Sequence, residues 1–312
     1  KITGHASGSG VFTITAPNSN TDRTITLPDA SVTLGTDATK LPLAGGAMSG
    51  TITNFTSTGI DDNANATAIT INATENVGIE VTPESWEDNY PALQIGGQGS
   101  LGGHSSSEVY LNDNVYRNGG NWKHINTAAA SQYQGTAGKH KFKIAPSASA
   151  DANITWTTAM TIDNSGAVTK PLQPAFSAQV SSTYSILVSQ HQNLPFATEI
   201  FDQNADFNTS TYTFTAPVTG KYQLNLVSRV DNMASNATYY HLYLFTSNRT
   251  YFDIIDPRGF DQDPAYLGLT VAALADMDAG DTATAKFYQS GGTSQSTIAS
   301  SGDSSFSGFL AC

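Results

Sequence analysis

The stretch 207–226, FNTSTYTFTAPVTGKYQLNL, decides the fold class of this 312-residue chain. In its first half Tyr212 and Phe214 alternate with threonines, and in its second half three apolar residues alternate with polar ones over 221–226. An apolar period of two is typical of a strand with one buried face. The segment between the two halves, 216–220, contains Pro and Gly and is therefore a turn signal. The sequence predicts two strands that face each other across this turn.

Four segments, in order, resemble the C1q-like domains of the C1q and tumour-necrosis-factor superfamily. The central one is 214–222 (FTAPVTGKY), and the others are 174–178 (PAFSA), 274–287 (LADMDAGDTATAKF) and 306–310 (FSGFL). The resemblance implies a jelly-roll β-sandwich over residues 173–312 that assembles as a homotrimer. It also implies a set of core-motif residues: Phe176, Tyr212, Phe214, Pro217, Gly220, Tyr222, Gly280, Asp281, Phe287, Phe306 and Gly308.

Composition favours an all-β chain. Gly accounts for 27 residues and only 13% of residues are charged, as short strands with polar turns require. We find no sustained apolar stripe of helical period, and no apolar run of about 18 residues that would predict a membrane-spanning helix. The formal net charge of −12 disfavours nucleic acid as a partner, because phosphates would be repelled. Cys312 is the only cysteine, which excludes an intramolecular disulfide; it is either a small terminal residue or a residue paired between chains.

The N-terminal quarter has short alternating segments but few apolar side chains. We interpret 1–40 as an N-terminal β segment and 41–75 as an intertwined β shaft, since about 40 residues without metal or disulfide rarely fold alone. Residues 41–50, LPLAGGAMSG, resemble segments of phage tail fibres, although a flexible linker is the alternative. If three chains share one core there, the protein is a parallel homotrimer.

Residues 76–172 contain all three tryptophans and several short alternating segments. We interpret them as a β-rich bead module, and its opening and closing segments resemble bead modules of marine phage fibres. The prolines at Pro171 and Pro174 mark a linker into the C-terminal domain, because proline stops a strand.

The stretch 251–266 is the strongest candidate site, because by strand pattern it is the longest irregular stretch of the C-terminal domain. Aromatic and Arg side chains dominate recognition surfaces, so we predict a receptor-binding loop here. Its predicted contact residues are Tyr251, Asp256, Arg258, Phe260, Asp261, Asp263 and Tyr266. Carboxylates at short spacing are candidate calcium ligands, and the four here are Asp253, Asp256, Asp261 and Asp263. The alternatives are a solvated loop without metal and a receptor contact at 232–238 instead.

No nucleophile, phosphate-loop or metalloprotease motif is present, and we predict no enzyme activity and no obligatory cofactor. The resemblances together imply a homotrimeric, extracellular tail fibre of a virion. Its N-terminal end would join other tail proteins, and its distal head would bind a host glycan or outer-membrane protein. Two rivals stay open: a tailspike that depolymerises glycans with a carboxylate pair, and a secreted cellular adhesin with a C1q-like head.

Overall fold

The computed structural model describes residue 8 and residues 68–312, except 105, 106 and 294. The expectations for 1–40 and for most of 41–75 therefore lie outside the described residues. Residues 68–169 contain the first eleven described strands: β1 (Ile69–Ile71), β2 (Val77–Ile79), β3 (Ala92–Ile95), β4 (Gly99–His104), β5 (Glu108–Asp113), β6 (Val115–Asn118), β7 (Asn121–His124), β8 (Ala128–Thr136), β9 (Lys139–Ala148), β10 (Thr157–Ile162) and β11 (Val168–Thr169).

Nine of these strands form one sheet in the order β1-β2-β3-β4-β5-β8-β9-β10-β11, and β6 and β7 form a separate hairpin. All neighbours are antiparallel except β2 and β3, which run parallel. Strand β1 falls in the segment that we assigned to the shaft, yet it pairs with β2 in this sheet. This sheet therefore begins before residue 76.

One face of the nine-stranded sheet is polar and is covered by the rest of the module. Its central row runs across the strands as Gln94, Ser100, Asn112 and Gln132, all of which are buried. Gln132 Nε2 donates to Asn112 Oδ1 at 2.9 Å, and Asn112 Nδ2 donates to Ser100 Oγ at 3.1 Å. Buried polar groups need such partners, and these bonds link Gln132, Asn112 and Ser100, whereas Gln94 Nε2 has no partner among the described residues.

The β6–β7 hairpin covers this polar face with aromatic side chains. Trp122 packs edge-on against Tyr110 of the sheet, with ring centroids 4.9 Å apart. Val115 packs with Ala130 and Ala145, which lie on the same face. The opposite face of the sheet has no such cover among the described residues.

Residues 175–310 contain thirteen further strands and one short 3₁₀ helix. The strands are β12 (Ala175–Val180), β13 (Tyr184–Ser185), β14 (Gln192–Asn193), β15 (Thr198–Asp202), β16 (Phe207–Asn208), β17 (Thr213–Thr215), β18 (Gly220–Asp231), β19 (Tyr239–Thr246), β20 (Thr250–Ile255), β21 (Tyr266–Met277), β22 (Thr282–Ser290), β23 (Thr297–Ile298) and β24 (Ser301–Leu310), and the helix is Pro257–Gly259.

These strands make a two-sheet sandwich. The seven-stranded sheet has the order β13-β23-β18-β24-β12-β15, with β21 also paired to β18, and the six-stranded sheet has the order β16-β17-β22-β19-β20, with β14 paired to β22. Along β18, β19, β21 and β22 buried residues alternate with more exposed ones, so each strand presents one face to a shared core. The predicted all-β fold class and jelly-roll head are confirmed.

The sandwich core is rich in stacked aromatic rings. Phe176 stacks on Phe214 with ring centroids 4.7 Å apart, and Phe306 meets Phe176 edge-on at 5.0 Å. Tyr222 and Phe287 are also fully buried. Five aromatic residues of the predicted core motif therefore lie in the hydrophobic core.

Two glycines of the motif lie where a side chain would not fit, and a third has a backbone conformation that favours glycine. At Gly308 a Cβ atom would lie 2.6 Å from Leu224 Cδ2 and 2.9 Å from Phe176 Cε1. At Gly220 it would lie 2.8 Å from the carbonyl oxygen of Cys312. Gly280 has a φ of 93°, in the left-handed region that glycine adopts without strain, and the neighbouring Asp281 accepts a hydrogen bond from Asp278 N.

The prediction that 207–226 is a hairpin was wrong. Strand β17 pairs with β16 and β22 in one sheet, whereas β18 pairs with β21, β23 and β24 in the other. The segment 216–219, with Pro217 exposed, is a crossover between the sheets. Tyr212 lies in a turn with a φ of 57° and is only partly buried, so its place on a strand was also wrong.

Candidate functional site

The predicted loop 251–266 is shorter than its sequence pattern indicates. Tyr251 and Asp253 lie on β20, and Tyr266 is the first residue of β21. The irregular part is 256–265, which includes the 3₁₀ helix Pro257–Gly259. The sequence pattern of β20 looks irregular because this edge strand has apolar side chains on both faces. Tyr251 and Ile255 pack against the core, whereas Phe252 is exposed.

Arg258 is engaged with its own loop. Its Nε and Nη2 donate to the two oxygens of Asp256 at 2.9 and 2.6 Å, and its backbone N–H donates to the same carboxylate at 3.0 Å. The Arg258 hydrogen bonds lower the pKa of Asp256 to about 2. Both side chains are more than half exposed, so the pair forms an accessible, self-neutralised unit rather than a free cation.

Asp263 joins the two loops that the sequence offered as alternative contacts. Its Oδ1 accepts from Ser235 N at 2.7 Å and from Ser235 Oγ at 2.6 Å. Asn236 in turn accepts from Thr293 N at 3.1 Å. The loops 232–238, 256–265 and 291–293 therefore gather at one end of the sandwich, and Phe260 and Asp261 are exposed there.

The four candidate calcium ligands do not come together. Asp253 accepts from Thr270 N at 3.1 Å, while Asp256 holds Arg258 and Asp263 holds Ser235. Among the described residues no group of three or more Asp, Glu, His or Cys side chains has the spacing of a metal site. Calcium binding stays a prediction without an assembled ligand set.

Tyr251 and Tyr266 do not frame one site. Tyr251 packs against the hydrophobic core, whereas Tyr266 is 70% exposed on the seven-stranded sheet, where the Arg229 guanidinium lies 6.0 Å from its ring centroid. The two tyrosines are neighbours of the loop in sequence, but their strands belong to different sheets. The predicted contact set is thus divided between the loop end and two separate surfaces.

A large apolar surface lies on the open side of the nine-stranded sheet. One row crosses β3, β4, β5, β8 and β9 as Leu93, Leu101, Leu111, Tyr133 and Phe142. We call the more exposed part of this surface the apolar face: Ile69, Ile71, Ile79, Ile95, Leu101, Val109, Leu111, Phe142, Ile144 and Val168. Each of these side chains is between 37% and 69% exposed.

A second surface lies on the outward side of the six-stranded sheet. Tyr239, His241, Tyr243 and Phe245 alternate along β19, and the partners of His241 and Tyr243 on β20 and β22 also point outward. The rings touch in a continuous patch that we call the aromatic face: His191, Tyr239, His241, Tyr243, Phe245, Phe252 and Tyr288.

Sequence reasoning missed both surfaces. The alternation in 239–245 was visible, but period two alone does not tell which of two apolar or aromatic sets faces the core. The apolar face was missed because its row is built from single residues on separate strands, which only the register aligns.

Among the described residues there is no helix long and apolar enough to cross a bilayer.

The comparisons with known proteins cover the C-terminal part of the chain. Residues 175–311 match the model of the C1q domain. The solved structures similar to this chain include the globular domain of zebrafish complement 1qA, with 19% identity and a TM-score of 0.35 over 45% of this chain and 98% of that one. They also include murine APRIL at pH 8.0 (13% identity, TM-score 0.34, 44% of this chain and 98% of that one) and Eiger TNF from S. frugiperda (10%, 0.32, 45% and 92%). No curated protein matches the chain.

Proposed function

We propose, from the premise that residues 175–311 form a C1q domain, that the chain is a homotrimeric attachment protein. In this proposal it is the distal part of a phage tail fibre. Its N-terminal end joins other tail proteins, and its C-terminal head binds the host cell surface. C1q domains are generally binding modules, so the proposal includes no catalytic step.

The main observation in favour of self-assembly is the contrast between the two faces of the nine-stranded sheet. The sheet buries a row of amides and hydroxyls and leaves ten large apolar side chains exposed. Soluble monomers rarely expose contiguous apolar patches of more than a few hundred Å². Full burial of an aliphatic side chain contributes about 1.5–3 kcal/mol, so covering the exposed half of each contributes on the order of 1 kcal/mol. Further copies of this chain are the proposed cover.

The apolar face suits contact between copies of this chain. It contains little charge in its central row, so equivalent sheets can meet around a threefold axis without burying unpaired ions. The C1q domain that follows in the chain belongs to a superfamily whose members assemble as homotrimers. Both modules would then share one axis.

Attachment follows from presenting three heads at one tip. Three weak sites on one assembly bind far more tightly together than each does alone, without any new contact. The tail-fibre setting rests on the resemblance of residues 41–50 to phage fibre segments. The C1q domain supports a secreted cellular adhesin equally well, and that rival differs only in where the protein is found.

The assembly is tested with Leu111→Asp, which places a charge in the centre of the apolar face. We expect the unaltered chain to have three times the chain mass by light scattering, and Leu111→Asp to lose that mass or precipitate. Leu187→Asp is the matched control, because Leu187 is also exposed but lies in the C-terminal domain. A stable monomer of the unaltered chain would overturn the proposal.

The assignment to a phage tail fibre is tested with antibodies raised against residues 173–312. In the tail-fibre proposal they label the tips of virion fibres and block adsorption of particles to host cells. Labelling of a producing cell's surface, with no labelling of particles, would instead establish the cellular adhesin. Release of shortened glycans by the purified chain would establish the depolymerase.

A further inference from the structure

The aromatic face has the chemistry of a ligand site rather than of a packed layer. Phe252 is 58% exposed, and the rings beside it on β19 are only half buried. His191 stacks on Tyr288 with centroids 4.5 Å apart, and His241 stacks on Phe252 at 5.3 Å. These contacts hold the rings in place before any ligand arrives, so little side-chain entropy is lost on binding.

Polar atoms lie between the rings. The hydroxyls of Tyr239 and Tyr288 have no hydrogen-bond partner among the described residues, whereas that of Tyr243 contacts Nδ1 of His241. Each free phenol can donate one hydrogen bond and accept others. A ligand on this face therefore meets flat apolar rings and hydroxyl groups side by side.

The charge of the face differs from that of the whole chain. In the rows that cross β20, β19 and β22, Tyr243 lies between Phe252 and Lys286, and Phe245 lies between Thr250 and Thr284. None of these rows places a carboxylate outward, and the Asp253 carboxylate accepts instead from Thr270 N of β21. A chain of net charge −12 thus has a carboxylate-free patch here.

Lys286 supplies the positive charge of that patch. Its Nζ lies 4.6 Å from the centroid of the Phe245 ring and makes no ion pair with a described carboxylate. Burial, and then the neighbouring His191, lower the pKa of His241, so that imidazole is neutral at pH 7. Lys286 is therefore a cation that an anionic ligand on this face would meet.

We propose that the aromatic face binds a saccharide that carries a carboxylate, that is, a uronate-containing glycan. The C–H faces of sugar rings pack on aromatic rings, their hydroxyls pair with the free tyrosine hydroxyls, and the carboxylate pairs with Lys286. A second copy of this chain fits less well, because covering the face with protein would bury the Lys286 ammonium and two phenols without partners. The inference rests on the proposed attachment function, because it names the receptor chemistry.

The direct test measures binding of the full-length chain to oligogalacturonate and to a neutral galactan oligosaccharide of equal length, by titration calorimetry. We expect the acidic oligosaccharide to bind more tightly, with an affinity that falls as salt is added. Phe252→Ala should weaken both complexes by about tenfold or more, as truncating a central aromatic contact does. Lys286→Gln should remove the preference for the acidic oligosaccharide and leave the neutral one unchanged.

Matched controls locate the site. Phe260→Ala alters an exposed Phe of the loop 256–265, and Lys221→Gln removes an exposed lysine from β18 of the other sheet. Both should leave binding unchanged, and no variant should change the assembly mass. Equal affinity for the two oligosaccharides, no binding of either, or loss of binding with Phe260→Ala but not with Phe252→Ala would overturn the inference.

Attachment to cells separates this inference from the proposed function. If the unaltered chain assembles and attaches to host cells, and Phe252→Ala and Lys286→Gln attach equally well, the aromatic face is not the site although the function stands. If the unaltered chain binds oligogalacturonate but neither assembles nor attaches, the proposed function fails and the glycan site remains.

Discussion

Asp206 is a residue whose ionised form the fold disfavours. Its Oδ2 atom is buried and has no hydrogen-bond partner among the described residues. Burial, and then the negative charge of Asp202, raise the pKa of Asp206. The folded state therefore binds this proton more tightly than the unfolded chain does, and the group contributes stability that is lost as pH rises through the raised pKa.

We expect Asp206→Asn to raise the melting temperature slightly at pH 7 and to have no such benefit at pH about 3 and below, where the carboxyl is largely protonated in both states. Thermal unfolding at several pH values, at one protein concentration, measures this. Asp202→Asn is the contrast, because Asp202 accepts from Asp206 N at 3.1 Å and from Phe207 N at 2.8 Å and should destabilise when neutralised. A gain for Asp206→Asn that is independent of pH would contradict the explanation.

Gly308, on the last strand β24, is a residue at which the neighbouring strands β12 and β18 leave no room for a side chain. We expect Gly308→Ala to destabilise the fold by about 1–3 kcal/mol, because its Cβ would overlap Leu224 and Phe176 in a packed core. Gly268 on β21 is the matched control, since a Cβ there meets nothing within 4 Å and Gly268→Ala should stay within about 0.5 kcal/mol. Urea denaturation gives both values, and equal stability of the two variants would contradict the packing argument.

At the scale of elements, the crossover 216–219 is what turns one alternating stretch into two sheets. Ala216 N donates to Asp281 O at 2.8 Å, and Gly280 N donates to Ala216 O at 2.8 Å. The Tyr222 hydroxyl donates to Val218 O at 2.7 Å. The crossover is therefore fixed by contacts with the β21–β22 turn and with the start of β18.

We expect Tyr222→Phe to destabilise the fold by about 0.5–1.5 kcal/mol, the usual net value of one hydrogen bond, while the aromatic packing is kept. Because the lost bond is local, limited proteolysis should become faster near Val218 before global unfolding does. Tyr212→Phe provides the comparison, as its ring lies in a turn and its hydroxyl makes no hydrogen bond with a described residue. Identical cleavage patterns in the two variants would contradict the expectation that the Tyr222–Val218 hydrogen bond holds the crossover in place.

At the scale of the molecule, the C-terminal sandwich has a core of its own. The buried apolar cluster runs from Phe176 to Phe306 and includes no residue of the nine-stranded sheet. We therefore expect residues 173–312, expressed alone, to give a β-type circular dichroism spectrum and a cooperative unfolding transition. An aggregated product without β signal would show that the head needs the preceding module.

The sequence by itself determined the fold class and the C1q resemblance, and through that resemblance five aromatic residues of the core. Period-two alternation is a local property of the chain that does not depend on which strands pair. Phe176, Phe214, Tyr222 and Phe306 were named from the resemblance of their segments to C1q-like domains. The glycines Gly220, Gly280 and Gly308 were named from the same resemblance.

Only the tertiary structure decided which strands pair and which face of each sheet is covered. In the sequence the crossover at 216–219 looks like a hairpin turn, because Pro217 and the following Gly220 are also typical of turns between paired strands. The apolar face and the aromatic face each consist of residues from several strands, which only the strand register aligns. A sequence pattern states that one side of a strand is apolar, but whether that side meets a core, a second chain or solvent depends on partners far away along the chain.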